Sequence, residues 1–124
     1  MTQAPITRLI LYTRRMEQMV RFFETHFGYT ARRDTADRIV ELIPNAGGLR
    51  LLLHPASKAA REGQVAVKIV FDVPNVSKSV AKAGKNGLEF GPVHAANGYC
   101  FANAKDPSKN SISVSSRAFV PRSG

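Results

Sequence analysis

The chain has 124 residues, 44% of them hydrophobic, and a single cysteine, Cys100. That length suits one domain with its own core, spanning 1–124, and a lone cysteine excludes an internal disulfide. Lys and Arg outnumber Asp and Glu by 18 to 9, a net charge of +9, which brings nucleic acid, anionic lipid and anionic small molecules into view as partner classes. The cations fall in short groups, however: Arg14 with Arg15, Arg32 with Arg33, then Lys78, Lys82 and Lys85, then Lys105 and Lys109. No long basic run, RNA-binding aromatic signature or zinc-ligand spacing accompanies them. The charge reads as a basic, solubilising surface and points away from nucleic acid. No apolar run reaches the length of a membrane helix, and Met-Thr-Gln-Ala-Pro at the start lacks a signal-peptide pattern. Together with the cysteine usage, this predicts a cytoplasmic protein without a membrane partner.

In chain order, Ile6 to Thr13 is β-rich and predicts a strand. Met16, Met19, Val20, Phe23 and Phe27 recur at helical spacing, and Gly28 stands where a helix C′ glycine belongs. Tyr29–Arg33 and Arg38–Ile43 form a hairpin around Asp34–Asp37. A turn at 45–48 leads to a strand over Leu49–His54. The first module, about 5–54, is therefore β-α-β-β-β. A polar linker, Pro55–Gly63, follows, in which Ala59 and Ala60 suggest a helical turn. The order then repeats over about 64–117: a strand Val65–Val73, a helix from Val76 to Lys85 with Asn75 as N-cap, and Gly87 beyond its end. Strands follow at Leu88–Val93, Tyr99–Asn103 and Ser111–Ser116, with a turn at Asp106–Asn110. Arg8-Leu9-Ile10-Leu11-Tyr12-Thr13 lies over Lys68-Ile69-Val70-Phe71-Asp72-Val73, and the repeat predicts an internal duplication.

Side-chain parity divides each strand between two faces. One face carries Leu9, Leu11, Leu49, Leu51, Leu53, Val67, Ile69, Phe71, Val73, Ile112 and Val114, and suits cover by the helices. The other carries Ile6, Arg8, Ile10 and Tyr12, then Arg50, Leu52 and His54, then Ala66, Lys68, Val70 and Asp72, then Ser111, Ser113 and Ser115. Its mixed character fits a water-facing surface or a ligand cavity.

Three stretches carry a family likeness. They are Phe22-Phe23-Glu24-Thr25-His26-Phe27-Gly28-Tyr29, then Gly87-Leu88-Glu89-Phe90-Gly91-Pro92, then Asp106-Pro107-Ser108-Lys109-Asn110-Ser111-Ile112-Ser113-Val114. In this order, over residues 5 to 117, they resemble the vicinal oxygen chelate, or glyoxalase/bleomycin resistance/dioxygenase, superfamily. The resemblance implies an α+β fold of two tandem βαβββ modules whose sheets form half-barrels around a cavity, and a homodimer. In catalytic members it implies a divalent metal held by the first and last strands of each module. Here those positions fall on Arg8, Lys68, Ser113 and either Arg50 or Leu52. Arg and Lys offer only cationic donors at neutral pH, whereas a divalent metal needs anionic or lone-pair ligands. The sequence therefore predicts no metal and no cofactor. The family's turn glycine is Lys109 here, which is strained if that position takes positive φ.

The candidate ligand-binding residues are Arg8, Arg50, Leu52, His54, Lys68, Tyr99 and Ser113. Arg8, Arg50 and Lys68 could grip a carboxylate or phosphate. Alternatively they pair with Glu41, Asp72 or a partner chain's carboxylate, or sit at a solvated rim. His54 and His94 could act as acid, base or relocated ligand, or simply occupy strand ends; His26 is expected to be exposed. Tyr99 and Phe101 could stack on a planar ligand or pack in the core. Cys100, if near Lys68, could be activated, or it is an apolar filler. The sequence favours a metal-free protein that binds a neutral or anionic small molecule by sequestration or sensing. Bleomycin resistance proteins are the model, although bleomycin is cationic and this chain is basic. A metal-dependent lyase, isomerase or dioxygenase with shifted ligands such as His54 and His94 is the first alternative, and a basic interaction module the second. Catalysis is left open.

Overall fold

A computed structural model describes residues 6–59 and 61–121. The chain divides into two compact units, residues 1–62 and 63–124. Unit 1 contains β1 (Arg8–Thr13), α1 (Met16–Phe27), β2 (Tyr29–Arg32), β3 (Val40–Pro44) and β4 (Arg50–Pro55). Unit 2 repeats the order as β5 (Lys68–Asp72), α2 (Val76–Lys85), β6 (His94–Ala95), β7 (Cys100–Lys105) and β8 (Ser111–Ser115), and ends in a 3-10 turn at Arg117–Phe119. The sheet orders are β1-β4-β3-β2 and β5-β8-β7-β6. In each unit the first and last strands pair parallel and the others antiparallel. This is the α+β fold of two tandem βαβββ modules.

In unit 1 the helical spacing works as the sequence implies. Met19, Val20, Phe22 and Phe23 of α1 are buried, together with Leu42, Leu51 and Leu53 from the facing side of the sheet. Phe22 and Phe23 pack edge to face, with centroids 5.0 Å apart. Full burial of one such side chain stabilises by about 1.5–3 kcal/mol. Gly28 ends the helix at φ 66, and its N–H donates to the Phe23 carbonyl, a conformation glycine adopts without a Cβ clash.

The core of unit 2 is built from smaller side chains, Val76, Leu88, Ala102, Ile112 and Val114. Asn75 caps α2 as predicted, its side-chain oxygen accepting from the Lys78 N–H at 3.0 Å. At the last turn, Asp106 is buried and its carboxylate accepts from the N–H groups of Ser108 and Asn110, both at 2.9 Å. Lys109 takes φ 67, the one non-glycine at positive φ among the described residues. The strain expected from a lysine at the family's glycine position is therefore present.

Several expected elements differ. The strand expected over Val65–Val73 begins at Lys68, and Val65 and Val67 are exposed rather than part of the core face. Ile6 likewise precedes β1 and is exposed. The strand expected over Leu88–Val93 is not formed. Only Gly91 N–H reaches β7, at the Asn103 carbonyl, because Pro92 has no N–H to continue the ladder; pairing resumes at His94. The helical turn suggested at Ala59 and Ala60 is a plain turn at Lys58 and Ala59, while Ala60 lies outside the described residues.

Candidate functional site

Each sheet has one face under its helix and one open face. In unit 1 the register places Arg8 beside Arg50, Ile10 beside Leu52 and Tyr12 beside His54. Leu52 in turn lies beside Glu41, and Glu41 beside Arg32. Strand alternation turns all of these away from α1. Glu41 thus stands among three arginines. Its Oε1 accepts from Arg50 Nη1 at 3.0 Å and lies 3.5 Å from Arg8 Nε. The Arg50 hydrogen bond, followed by the charges of Arg50, Arg8 and Arg32, holds the Glu41 carboxyl below its ordinary range against the opposing pull of burial. The pairing of Arg8 and Arg50 with Glu41 is one of the alternatives the sequence left open. A cavity of about 220 Å3 opens here, with Arg8, Glu41 and Leu52 in its wall beside the β2–β3 hairpin. A broader groove of about 520 Å3 follows the same hairpin and includes Met16, Val40 and Pro55.

His54 lies two residues along β4 from Leu52. Its Nδ1 is 2.8 Å from the Pro55 carbonyl oxygen, and its ring is 5.1 Å from that of Tyr12. A carbonyl only accepts, so this contact favours the proton on Nδ1 and leaves Nε2 as the acceptor. His26, expected to be exposed, is instead half-buried against Phe22, at 5.2 Å, and burial pushes its pKa down.

In unit 2 the open face carries Lys68 beside Ser111, and Val70 beside Ser113 beside Asn103. Lys68 Nζ donates to Asn103 Oδ1 at 2.9 Å. Asp72, the other candidate partner, lies four residues along β5, roughly 13 Å at ordinary strand rise. Ser113 is buried, and its hydroxyl donates to the Ala102 carbonyl at 3.0 Å. Tyr99 pairs with Arg117, whose Nη1 donates to the phenol oxygen at 3.1 Å and whose guanidinium lies 5.3 Å from the ring centroid. His94 and Phe101 are neighbours across β6 and β7, their rings 5.1 Å apart. Cys100 alternates with Phe101 and Asn103, so it projects to the opposite face from Lys68. That removes Lys68 as an activator of the thiol.

The registers settle which residue of β4 matches Ser113. Ser113 pairs with Val70, two residues beyond Lys68, and Leu52 pairs with Ile10, two residues beyond Arg8. Leu52 is therefore the equivalent of Ser113, and Arg50 that of Ser111. By the same rule Glu41 corresponds to Asn103, and the Arg8–Glu41 contact to Lys68–Asn103. Arg32 and Asn103 were not among the sequence candidates. The repeat carries the signal for Asn103, whereas Arg32 depends on a hairpin register.

A family model for the Glyoxalase/Bleomycin resistance protein/Dioxygenase superfamily matches residues 5–114. The chain belongs to this superfamily. Solved structures with the same fold include TnmS3, an antibiotic binding protein from Streptomyces sp. CB03234, at 14% identity and TM-score 0.75, covering 92% of this chain and 96% of that one. A superfamily member from Sphaerobacter thermophilus DSM 20745 has 14% identity and TM-score 0.73, covering 91% and 97%. A lactoylglutathione lyase from Agrobacterium tumefaciens has 20% identity and TM-score 0.69, covering 91% and 93%. No curated protein sequence matches the chain significantly.

The superfamily's metal does not fit this donor set. At the four implied positions stand Arg8, Leu52, Lys68 and Ser113. A leucine has no donor atom, the serine hydroxyl donates to a carbonyl, and the two cations repel a dication. Within either unit, among the described residues, no group of three or more His, Cys, Asp or Glu side chains is placed to hold a metal ion.

Proposed function

We propose that this superfamily member is a metal-free small-molecule-binding protein, acting by sequestration or sensing on a neutral or anionic ligand. The observation that carries this reading is the chemistry at the two strand starts. Arg8 and Lys68 hold fixed positive charge where metal-binding relatives need a lone-pair donor. Arg8 is held by Glu41 and by the Thr7 hydroxyl, to which its Nη1 donates at 3.1 Å, and Lys68 by Asn103, which leaves further N–H groups on each for a ligand oxygen. Leu52, Ile10 and Val70 supply apolar surface beside them, the mixture small-molecule sites use. Arg50, His54, Tyr99 and Ser113 complete the proposed binding residues: Arg50 steadies Glu41, and Ser113 keeps the β8 side of the face small. No membrane partner is invoked, since among the described residues no helix is long and apolar enough to cross a bilayer. A homodimer in the cytoplasm is part of the proposal.

The test is a thermal-shift screen of small carboxylates, phosphates and net-neutral polar molecules, amino acids among them, on the wild type, Arg8→Ala and Lys68→Ala. Ligand binding to the folded state alone raises the midpoint. The reading expects a shift in the wild type that shrinks in both variants. Equal shifts in all three proteins would remove the two cations from the site.

A further inference from the structure

The cavity of unit 1 has a charge pattern that a simple anion does not match. Besides Arg8, Glu41 and Leu52, it is bounded by Arg32, Asp34, Asp37 and Ile39 of the β2–β3 hairpin. Arg32 is exposed and its side chain has no hydrogen bond or ion pair among the described residues; it acts on Glu41 through its charge alone, and Glu41 is already engaged by Arg50 and Arg8. Asp34 and Asp37 are exposed too, and neither has a cationic partner among the described residues. One oxygen of each is committed to the hairpin backbone: Asp34 Oδ1 accepts from Ala36 N–H at 3.0 Å, and Asp37 Oδ1 from Ile39 N–H at 3.1 Å. These contacts fix both carboxylates and leave the other oxygen of each available.

One small cavity therefore holds an unpaired guanidinium and two carboxylates with one oxygen each still available, with Ile39 and Leu52 as its apolar surface. With Arg50 behind Glu41, three arginines stand against three carboxylates. A simple anion entering here meets Asp34 and Asp37 as well as Arg32. A simple cation meets the arginines. A molecule carrying both charges satisfies both signs at once. The volume of about 220 Å3 is below the roughly 300–1,000 Å3 of drug-sized sites, which limits the occupant to a small metabolite.

We infer that this cavity binds a small zwitterion of the α-amino acid type, its carboxylate on Arg32, its ammonium on Asp34 and Asp37, and its side chain on Ile39 and Leu52. The inference rests on the small-molecule reading above and narrows it, for this unit, to a net-neutral ligand. Direct recognition of both groups is a charge-assisted contact at each end.

The experiment is calorimetric titration of the full chain with L-leucine, N-acetyl-L-leucine and L-leucinamide, which carry both charges, the negative alone and the positive alone. The expected result is a Kd for L-leucine below about 1 mM, with each single-charge analogue at least about tenfold weaker. Arg32→Gln and Asp37→Asn are surface changes and should keep the wild-type melting midpoint. Each should weaken L-leucine at least about fivefold. N-acetyl-L-leucine binding as tightly as L-leucine would overturn the zwitterion assignment, while the anion reading at Arg8 would stand. No binding of L-leucine near 10 mM, or affinity unchanged in both variants, would also overturn it. The anion screen on Arg8→Ala and Lys68→Ala then decides the broader reading separately.

Discussion

In unit 1 the cation at the start of the first strand faces a carboxylate; in unit 2 its counterpart faces an amide. Arg8 lies against Glu41, which also holds Arg50, whereas Lys68 donates to Asn103 alone. Unit 1 also pairs Arg15 with Glu62 and Arg33 with Glu17. Unit 1 also has the larger core side chains. One connectivity therefore supports two kinds of open face. The first is a planar guanidinium cluster held by charge, and the second a single ammonium on a flexible stem beside serines. Arg suits bidentate recognition of an oxyanion, and Lys acts as a point charge. The repeat keeps a cation beside an acceptor while changing the charge and shape of the pair.

The core difference gives the largest expected effect. Phe23→Ala should cost about 3–5 kcal/mol in denaturant unfolding, and Ile112→Val about 0.5–1.5 kcal/mol. The charge difference is tested next with Glu41→Gln. Arg8 and Arg50 are 50% and 38% exposed, so solvent screens the pairs, and the loss should be about 1 kcal/mol.

The same substitution should alter the acid limb. Glu41 is held low mainly by the Arg50 hydrogen bond, Glu17 mainly by the Arg33 hydrogen bond, and His26 by burial. In each case the unfolded chain takes up its proton at higher pH than the folded one. The associated stability is thus complete above the unfolded values, near 4.5 for the carboxyls and 6.5 for His26. It is lost as pH falls through the folded values. Hydrogen exchange corrected for intrinsic rates should show unit 1 losing protection as pH falls through the carboxyl range, and Glu41→Gln should flatten that dependence.

In unit 2, Lys109→Gly should stabilise by about 1 kcal/mol, because it relieves a positive φ on a side-chain-bearing residue. An unchanged midpoint would mean that the Asp106 turn already absorbs the strain. The smallest effect belongs to Asn103→Asp, which gives Lys68 the charged acceptor that Arg8 has. On an exposed lysine that should add about 0.2–1 kcal/mol, and the gain should fade at high salt.

Much of the fold was legible because its signals are local. Helical spacing with Gly28 defined α1 to the residue, Asn75 marked the start of α2, and strand parity separated Leu51 and Leu53 from Arg50 and Leu52. The misread segments failed for local reasons too. Leu88–Val93 is β-like in composition but contains Gly91-Pro92, and Val65–Val67 follows Gly63, whose φ of 75 turns the chain. The site was legible only in part. Arg8 and Lys68 follow from the repeat, but placing Glu41 among three arginines requires the β2–β3 register. Residues 33–39 connect those strands, a loop too long for tight-turn rules to fix the pairing. The cavity under that hairpin was hidden for the same reason. The choice between Arg50 and Leu52 likewise needed the β1–β4 pairing.

The account stands on cations occupying positions where metal-binding relatives carry ligands. Its most direct test is elemental analysis of the full chain purified without chelator, before and after incubation with excess zinc, nickel, manganese or ferrous iron and removal of the free ion. The account predicts less than about one-tenth of an equivalent of any divalent metal in every sample, consistent with a donor set lacking thiolate, imidazole or carboxylate ligands at those positions. Close to one equivalent retained by the wild type, and lost in His54→Ala or His94→Ala, would contradict it and favour a metal held by shifted ligands.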